Sequence, residues 1–140
     1  MPLKITLPIL CRILPPPPTI LPVLQKVKSA YLLWYGFYQT IPKNHRHSLG
    51  KKIDTLFVEI VEAIATACFL VRAEKIPYVR RAIQKLDTLK IFLMILWETK
   101  SLDNKKYAAL SEPLDEIGRM LGGWNGQLVK QNSPAKAGEK

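Results

Sequence analysis

Between Tyr107 and Leu128 the apolar residues Tyr107, Leu110, Leu114, Ile117, Leu121, Trp124 and Leu128 recur every three or four positions. That spacing lays one continuous seam along an α-helix and fits no strand. A different face of the same segment carries glycine at every fourth position, as Gly118, Gly122 and Gly126. Glycine costs about 1 kcal/mol against alanine inside a helix, so this row asks for a compensating contact. The expected one is the close approach of a second backbone to a face without side chains. Gly118, Gly122 and Gly126 are therefore candidates for close helix packing, within the bundle or between subunits.

The same periodicity recurs three times upstream. A first helix is expected from about Leu21 to Ile41, with Leu24, Val27, Tyr31, Trp34, Tyr38 and Ile41 inward; Pro22 suits its first turn and Pro42-Lys43 closes it. A second is expected from about Asn44 to Lys75, with Ile53, Leu56, Ile60, Ala63, Ala67 and Leu70 inward, small residues at its middle, and Pro77 as its end. A third runs from about Tyr78 to Lys100 on Val79, Ile83, Leu86, Leu89, Leu93 and Leu96, and a polar turn at Ser101–Asn104 leads into a fourth from Lys105 to Val129. Connections this short imply antiparallel neighbours, so the expected fold is all-α, an up-down-up-down four-helix bundle over residues 20–130. Residues 1–19 form a proline-rich arm, since Pro15 to Pro18 favour an extended spacer. Residues 131–140 read as a flexible basic tail. No sustained alternation of period two suggests a strand.

The chain has 21 Lys+Arg against 11 Asp+Glu, a formal net charge of +10. The first hundred residues hold 15 of the basic and 6 of the acidic residues. Such an excess points to a polyanionic partner, nucleic acid first and an anionic membrane or acidic protein second. Cys11 and Cys68 make no disulfide framework, and a reduced, cytoplasmic setting is expected. The longest apolar run, Ile91 to Trp97, falls far short of the roughly 20 residues that span a bilayer. Met1 to Leu14 superficially suggests a signal peptide. Pro8 and Arg12 break its apolar core, no small-residue cleavage site follows, and Leu10 before Cys11 does not suit lipoprotein processing, so secretion is not expected.

Catalysis finds little to rest on. No Glu-x-x-His pair suggests a carboxylate-bridged metal site. His45 and His47 would point about 200° apart on a helix, with no cysteine or acid nearby to complete a metal set. Gly118, Gly122 and Gly123 follow no strand and form no phosphate loop, and no serine, threonine or cysteine is paired with a base. Neither an enzyme nor a cofactor is expected.

The informative charged segment is Lys43 to Lys52, with four Lys/Arg, two histidines and no acid. Lys43, Arg46, Lys51 and Lys52 there are candidate phosphate contacts. A second group comprises Arg72, Lys75, Arg80, Arg81 and Lys85. A helix running from Asn44 to Lys75 would separate the groups by about 45 Å at about 1.5 Å per residue. A stripe, or patches from several subunits, therefore fits better than one compact site. The competing account is that these charges are ordinary solvated helix faces, against which stands the acid-free decapeptide. Tyr31, Trp34 and Tyr38 are core residues by spacing, whereas Tyr35 lies off that seam and is expected to be exposed.

Two motifs carry a family resemblance. Pro42-Lys43-x-x-Arg46-x-Ser48-Leu49-Gly50 and Asp115-Glu116-Ile117-Gly118-Arg119-Met120-Leu121-Gly122-Gly123-Trp124, with Leu21 to Lys26 and Lys85-Leu86-Asp87, resemble the bacterial four-helix bundle family. It comprises intervening-sequence proteins of ribosomal RNA genes and Avd, the accessory variability determinant of diversity-generating retroelements. The resemblance covers about residues 20–128; the arm before Thr19 departs from the family pattern. It implies a homo-oligomer, expected to be a pentamer, forming a basic barrel without catalysis. As an Avd, the chain would bind reverse transcriptase, RNA and complementary DNA and support mutagenic reverse transcription. As an intervening-sequence protein it would be an interaction bundle with no reverse transcriptase partner. The partner surface implied falls on Lys43, Arg46, Lys51 and Lys52, then on Arg72, Arg80, Arg81 and Lys85.

Overall fold

The computed structural model describes residues 21–132, which form four long helices and one short turn of helix. Helix α1 spans Leu21–Tyr38, α2 Lys43–Arg46, α3 Leu49–Cys68, α4 Arg72–Glu98 and α5 Asn104–Gln131. The long helices pack in chain order, α1 on α3, α3 on α4 and α4 on α5, and α5 closes the ring on α1. This is the up-down-up-down four-helix bundle, and the described residues contain no strand. The arm at 1–19 and the tail from residue 133 lie outside the described residues.

The seams of α3, α4 and α5 lie where their spacing puts them. Ile53, Leu56, Ile60, Ala63 and Ala67, then Val79, Leu86, Leu89, Leu93 and Leu96, then Leu110, Leu114, Ile117, Leu121 and Leu128 are all buried. Burying one such large side chain stabilises the fold by about 1.5–3 kcal/mol. In α1 the stripe is rotated: Val23, Val27, Ala30 and Trp34 are buried, while Leu24, Tyr31 and Tyr38 are only partly so. Two of these carry hydroxyls that need polar partners at the rim. Tyr31 Oη donates to Asp54 Oδ1 at 2.9 Å, and Tyr38 Oη donates to the Arg46 carbonyl at 2.9 Å. Trp34 Nε1 donates to the same Asp54 oxygen at 3.3 Å. The Tyr31 ring meets Phe57 edge-on at 5.7 Å and the Trp34 ring stacks on Phe57 at 6.2 Å. Asp54 and Phe57 thus join α1 to α3. Burial, then the bond to Asp54 and its negative charge, push the Tyr31 phenol up to about 12.

The helix expected over 44–75 is broken twice. It halts at His47-Ser48, so that Lys43–Arg46 is a separate turn, and α3 ends at Cys68. Neither glycine nor proline marks the second break. Phe69 N–H donates to the Thr66 carbonyl and Leu70 N–H to that of Ala67; Val71 is extended, at ψ 158. Buried Lys75 turns back from α4 so that its Nζ donates to the Ala67 carbonyl, capping the end of α3 as a cation near a helix C-terminus should. Pro77 consequently ends nothing. It is the sixth residue of α4, where its missing N–H costs one ladder bond rather than a helix. Leu70, left outside α3, is only partly buried.

The α4–α5 turn closes on Lys100, whose φ of 67 is left-handed, with Ser101 N–H donating to the Leu96 carbonyl at 3.1 Å. Glycine usually takes that place. Asp103 then caps α5, its Oδ1 accepting from Lys106 N at 2.8 Å. At the turn between α1 and α3 Gly50 is buried, and a Cβ there would lie 3.0 Å from the Tyr38 ring and 3.1 Å from the His45 carbonyl oxygen.

Two outcomes follow. Gly50→Ala lowers stability by about 1–3 kcal/mol through overpacking, read as an earlier thermal midpoint; an unchanged midpoint contradicts the contact. Because the Tyr31 proton is held more tightly in the folded chain, with its pKa raised to about 12 from 10.0, its contribution is complete below pH 10 and is lost as pH climbs from about 10 to 12. Tyr31→Phe removes that part of the alkaline loss, seen as a flatter difference in melting midpoint against pH.

Candidate nucleic-acid interface

The cations named from the sequence fall into different surroundings. Lys43, Lys51 and Lys52 project from α2 and the start of α3; all three are exposed, and none is in an ion pair among the described residues. Arg46, between them, is engaged within the fold. Its Nε and Nη2 donate to the Ile41 carbonyl at 3.3 and 3.1 Å, and Nη2 reaches the Gln39 carbonyl at 3.4 Å. It holds the carbonyls where the chain leaves α1, a cation where the helix dipole favours one. The Pro-Lys-x-x-Arg-x-Ser-Leu-Gly motif therefore builds a corner: Pro42 starts α2, Arg46 clasps the exit of α1, and Gly50 lets α3 pass under Tyr38.

At the far end Arg72, Arg80 and Arg81 are exposed. Arg80 Nε donates to Asn125 Oδ1 at 3.3 Å, and the Arg81 guanidinium lies 5.3 Å from the centre of the Tyr78 ring. Lys85 pairs with Glu59 at 3.1 Å. Lys75 is 8% exposed; burial lowers the pKa of its ammonium and raises that of the nearby Cys68 thiol. Lys75 is thus a helix cap and Lys85 an ion-pair partner. The two basic groups do lie at opposite ends, but closer than expected. With α3 only 20 residues long, they are separated by about 30 Å. An open groove of about 570 Å³ between α3 and α4 is lined by Glu59 and Glu62 as well as Arg81 and Lys85. This mixture of charge does not favour a phosphate track running from one end to the other.

The fold adds cations that sequence spacing did not gather. His45 Nδ1 is hydrogen-bonded to Ser101 Oγ. Lys106 Nζ donates to Thr40 Oγ1 at 3.0 Å and sits 5.6 Å from the Phe37 ring centre. These contacts bring the α4–α5 turn against the corner after α1, so Lys100, Lys105 and Lys106 join Lys43, Lys51 and Lys52 at one end. The signal was available in the topology, because two of the three turns of an up-down bundle must share an end. The acids in this region are Glu98 and Asp103, and Asp103 is occupied in capping α5.

The glycine row divides as well. A Cβ on Gly118 would make ordinary contact, 3.4 Å from Lys90 Nζ and 3.5 Å from Leu86 Cδ2, whereas at Gly122, Gly123 and Gly126 nothing among the described residues lies within 4 Å. The bundle itself does not pack closely on Gly122 or Gly126. Around this row, Asp115 pairs with Lys90 and Glu116 with Lys26, at 3.1 and 3.0 Å, tying α5 to α4 and α1. Tyr35 is 54% exposed, as its place off the seam predicts. Among the described residues no three His, Cys, Asp or Glu side chains gather as a metal site, and no helix is long and apolar enough to cross a membrane.

A sequence model of a family described as bAvd-like matches residues 22–128, which is all four long helices except their outermost ends. No curated protein and no solved structure matches the chain.

The clasp makes a distinct prediction. Arg46→Ala costs about 1–3 kcal/mol, the range for losing hydrogen bonds from a charged group, and Lys51→Ala stays within about 0.5 kcal/mol, as for an exposed residue. Equal melting midpoints for the two variants would contradict the role given to Arg46.

Proposed function

The chain belongs to the bAvd-like family, and on that premise we propose that it is a non-catalytic accessory subunit of a diversity-generating retroelement. In this reading it binds the element's reverse transcriptase together with RNA and complementary DNA and supports mutagenic reverse transcription. The observation that carries the nucleic-acid part is the set of exposed, unpaired lysines and arginines on a chain of net charge +10. Three ion pairs are found among the described residues, each bridging two helices, and none of them engages Lys43, Lys51, Lys52, Arg72, Arg80 or Arg81, which stay exposed to meet phosphates. Binding of that kind is driven by release of counterions and is largely indifferent to sequence.

Assembly strengthens the effect. The homo-oligomer implied by the family resemblance, expected to be a pentamer, multiplies the charge of one chain and concentrates a polyanion beside the enzyme. The open row at Gly122 and Gly126 supports a subunit contact. Each glycine costs the helix about 1 kcal/mol, with no compensation inside the bundle. Toward the other end of the bundle, α1 exposes Leu32, Leu33 and Tyr35, separate apolar surface that a neighbouring subunit would cover.

Titration with labelled RNA at about 50 and 200 mM salt is expected to show affinity falling steeply, by a factor set by the number of phosphates held; salt-independent binding would contradict the electrostatic mechanism. Light scattering is expected to give a discrete oligomer. Gly122→Leu, which fills the open face, is expected to break that oligomer while the helical circular dichroism persists; an oligomer of unchanged size would remove Gly122 from the interface.

A further inference from the structure

At the end of the bundle where the two basic turns meet, Trp97 lies half-buried with its ring parallel to that of Tyr107, the centroids 4.8 Å apart and the planes 10° from each other. Trp97 Nε1 donates to Asn104 Oδ1 at 2.7 Å. The ring is thus fixed by a neighbour on one face and a hydrogen bond at its edge. It also lines an open groove of about 470 Å³ with Glu98, Lys100, Leu102, Asp103 and Asn104. We propose that this groove receives an unpaired base of a single-stranded nucleic acid, stacked beside Trp97, with the adjoining phosphates held by Lys100 and Lys105. The proposal rests on the nucleic-acid reading above and gives it a location.

Three features select this ligand. A rigid aromatic at the margin of an open groove is the device on which single-strand binders stack bases, because every base has a π-face. The groove wall itself is mixed in charge, with Glu98 and Asp103 set against Lys100; phosphates are disfavoured beside the carboxylates, whereas the exocyclic amino groups of cytosine or adenine find acceptors there. Finally, Lys100 stands where glycine would be easier, since a left-handed φ costs a side-chain-bearing residue about 1–2 kcal/mol. The lysine there places a cation at the rim of the groove. Lys100 and Lys105 are exposed and form no ion pair among the described residues, and Lys43, Lys51 and Lys52 extend the basic surface across the neighbouring turn. A duplex keeps its bases stacked inside and has none to offer this groove.

The test is fluorescence anisotropy with labelled oligonucleotides of about 12 nucleotides, within the site sizes of such platforms, as RNA and as DNA, single-stranded and duplex. Single strands are expected to bind more tightly than duplex, and oligo-C or oligo-A more tightly than oligo-U. The double variant Lys100→Gln/Lys105→Gln is expected to reduce the salt slope by about 1.4, at about 0.7 per phosphate contact on a single strand. Arg80→Gln/Arg81→Gln, at the other end, is expected to leave that slope nearly unchanged. Trp97→Leu is expected to weaken binding about 5- to 140-fold, the worth of one stacked base, and its folding is checked by thermal melting. The lysine pair is exposed and tests the site even where Trp97→Leu unfolds the chain. Wild-type binding with an unchanged slope in the lysine variant and a reduced one in the arginine variant overturns this location but leaves the proposed function standing. Equal affinity for duplex and single strand overturns the base-receiving groove. No binding of any oligonucleotide by the wild type removes both.

Discussion

The bundle depends on how the chain leaves α1. Within ten residues it must turn over the end of the domain and start α3 against the helix it has just left, with the carbonyls of the turn itself in need of partners. Three groups solve this together. The Arg46 guanidinium gathers the carbonyls of Ile41 and Gln39, the Tyr38 hydroxyl donates to the carbonyl of Arg46, and Gly50 lets the α3 backbone pass beneath the Tyr38 ring. Ile41 is then wholly buried at the turn. With α1 and α3 so oriented, Asp54 comes under Tyr31 and Trp34, and the α4–α5 turn finds its place through His45 and Ser101.

Periodicity made most of the interior legible. Helical spacing identified most of the inward residues of α3, α4 and α5, whose stripes are mainly aliphatic, with Leu70, Ile83, Tyr107 and Trp124 only partly buried. In α1 the spacing misplaced the stripe by about one residue, since Tyr31 and Tyr38 read as apolar while their hydroxyls hold them at the rim. The break at Phe69 to Val71 was hidden for a different reason. Nothing local forbids a helix there; what stops it is tertiary, chiefly Lys75 reaching back to the Ala67 carbonyl. Pro77 was the nearest visible punctuation and attracted the boundary that belongs seven residues earlier.

The candidate interface was legible in part. Charge density found Lys43, Lys51 and Lys52, but charge density cannot separate a free cation from one already engaged, so Arg46, Lys75 and Lys85 were grouped with them. Each is spent on a carbonyl or a carboxylate in the fold. In the other direction, Lys100 and Lys105 were missed as neighbours of Lys51 because they lie about fifty residues away in sequence and meet it only through topology. The glycine row was read as a surface for close helix packing, and among the described residues only Gly118 of that row meets another helix of the bundle.

In the proposed role, a basic helical bundle that joins a polymerase to its template would act by position, changing the reaction by holding a strand where the enzyme works. The most direct measurement is reverse transcription of the retroelement's template RNA by its purified reverse transcriptase, with and without this chain. The account predicts that the two proteins co-purify and that extended complementary DNA accumulates only when both are present. Equal synthesis by the enzyme alone, together with failure of the two to co-purify, would contradict it.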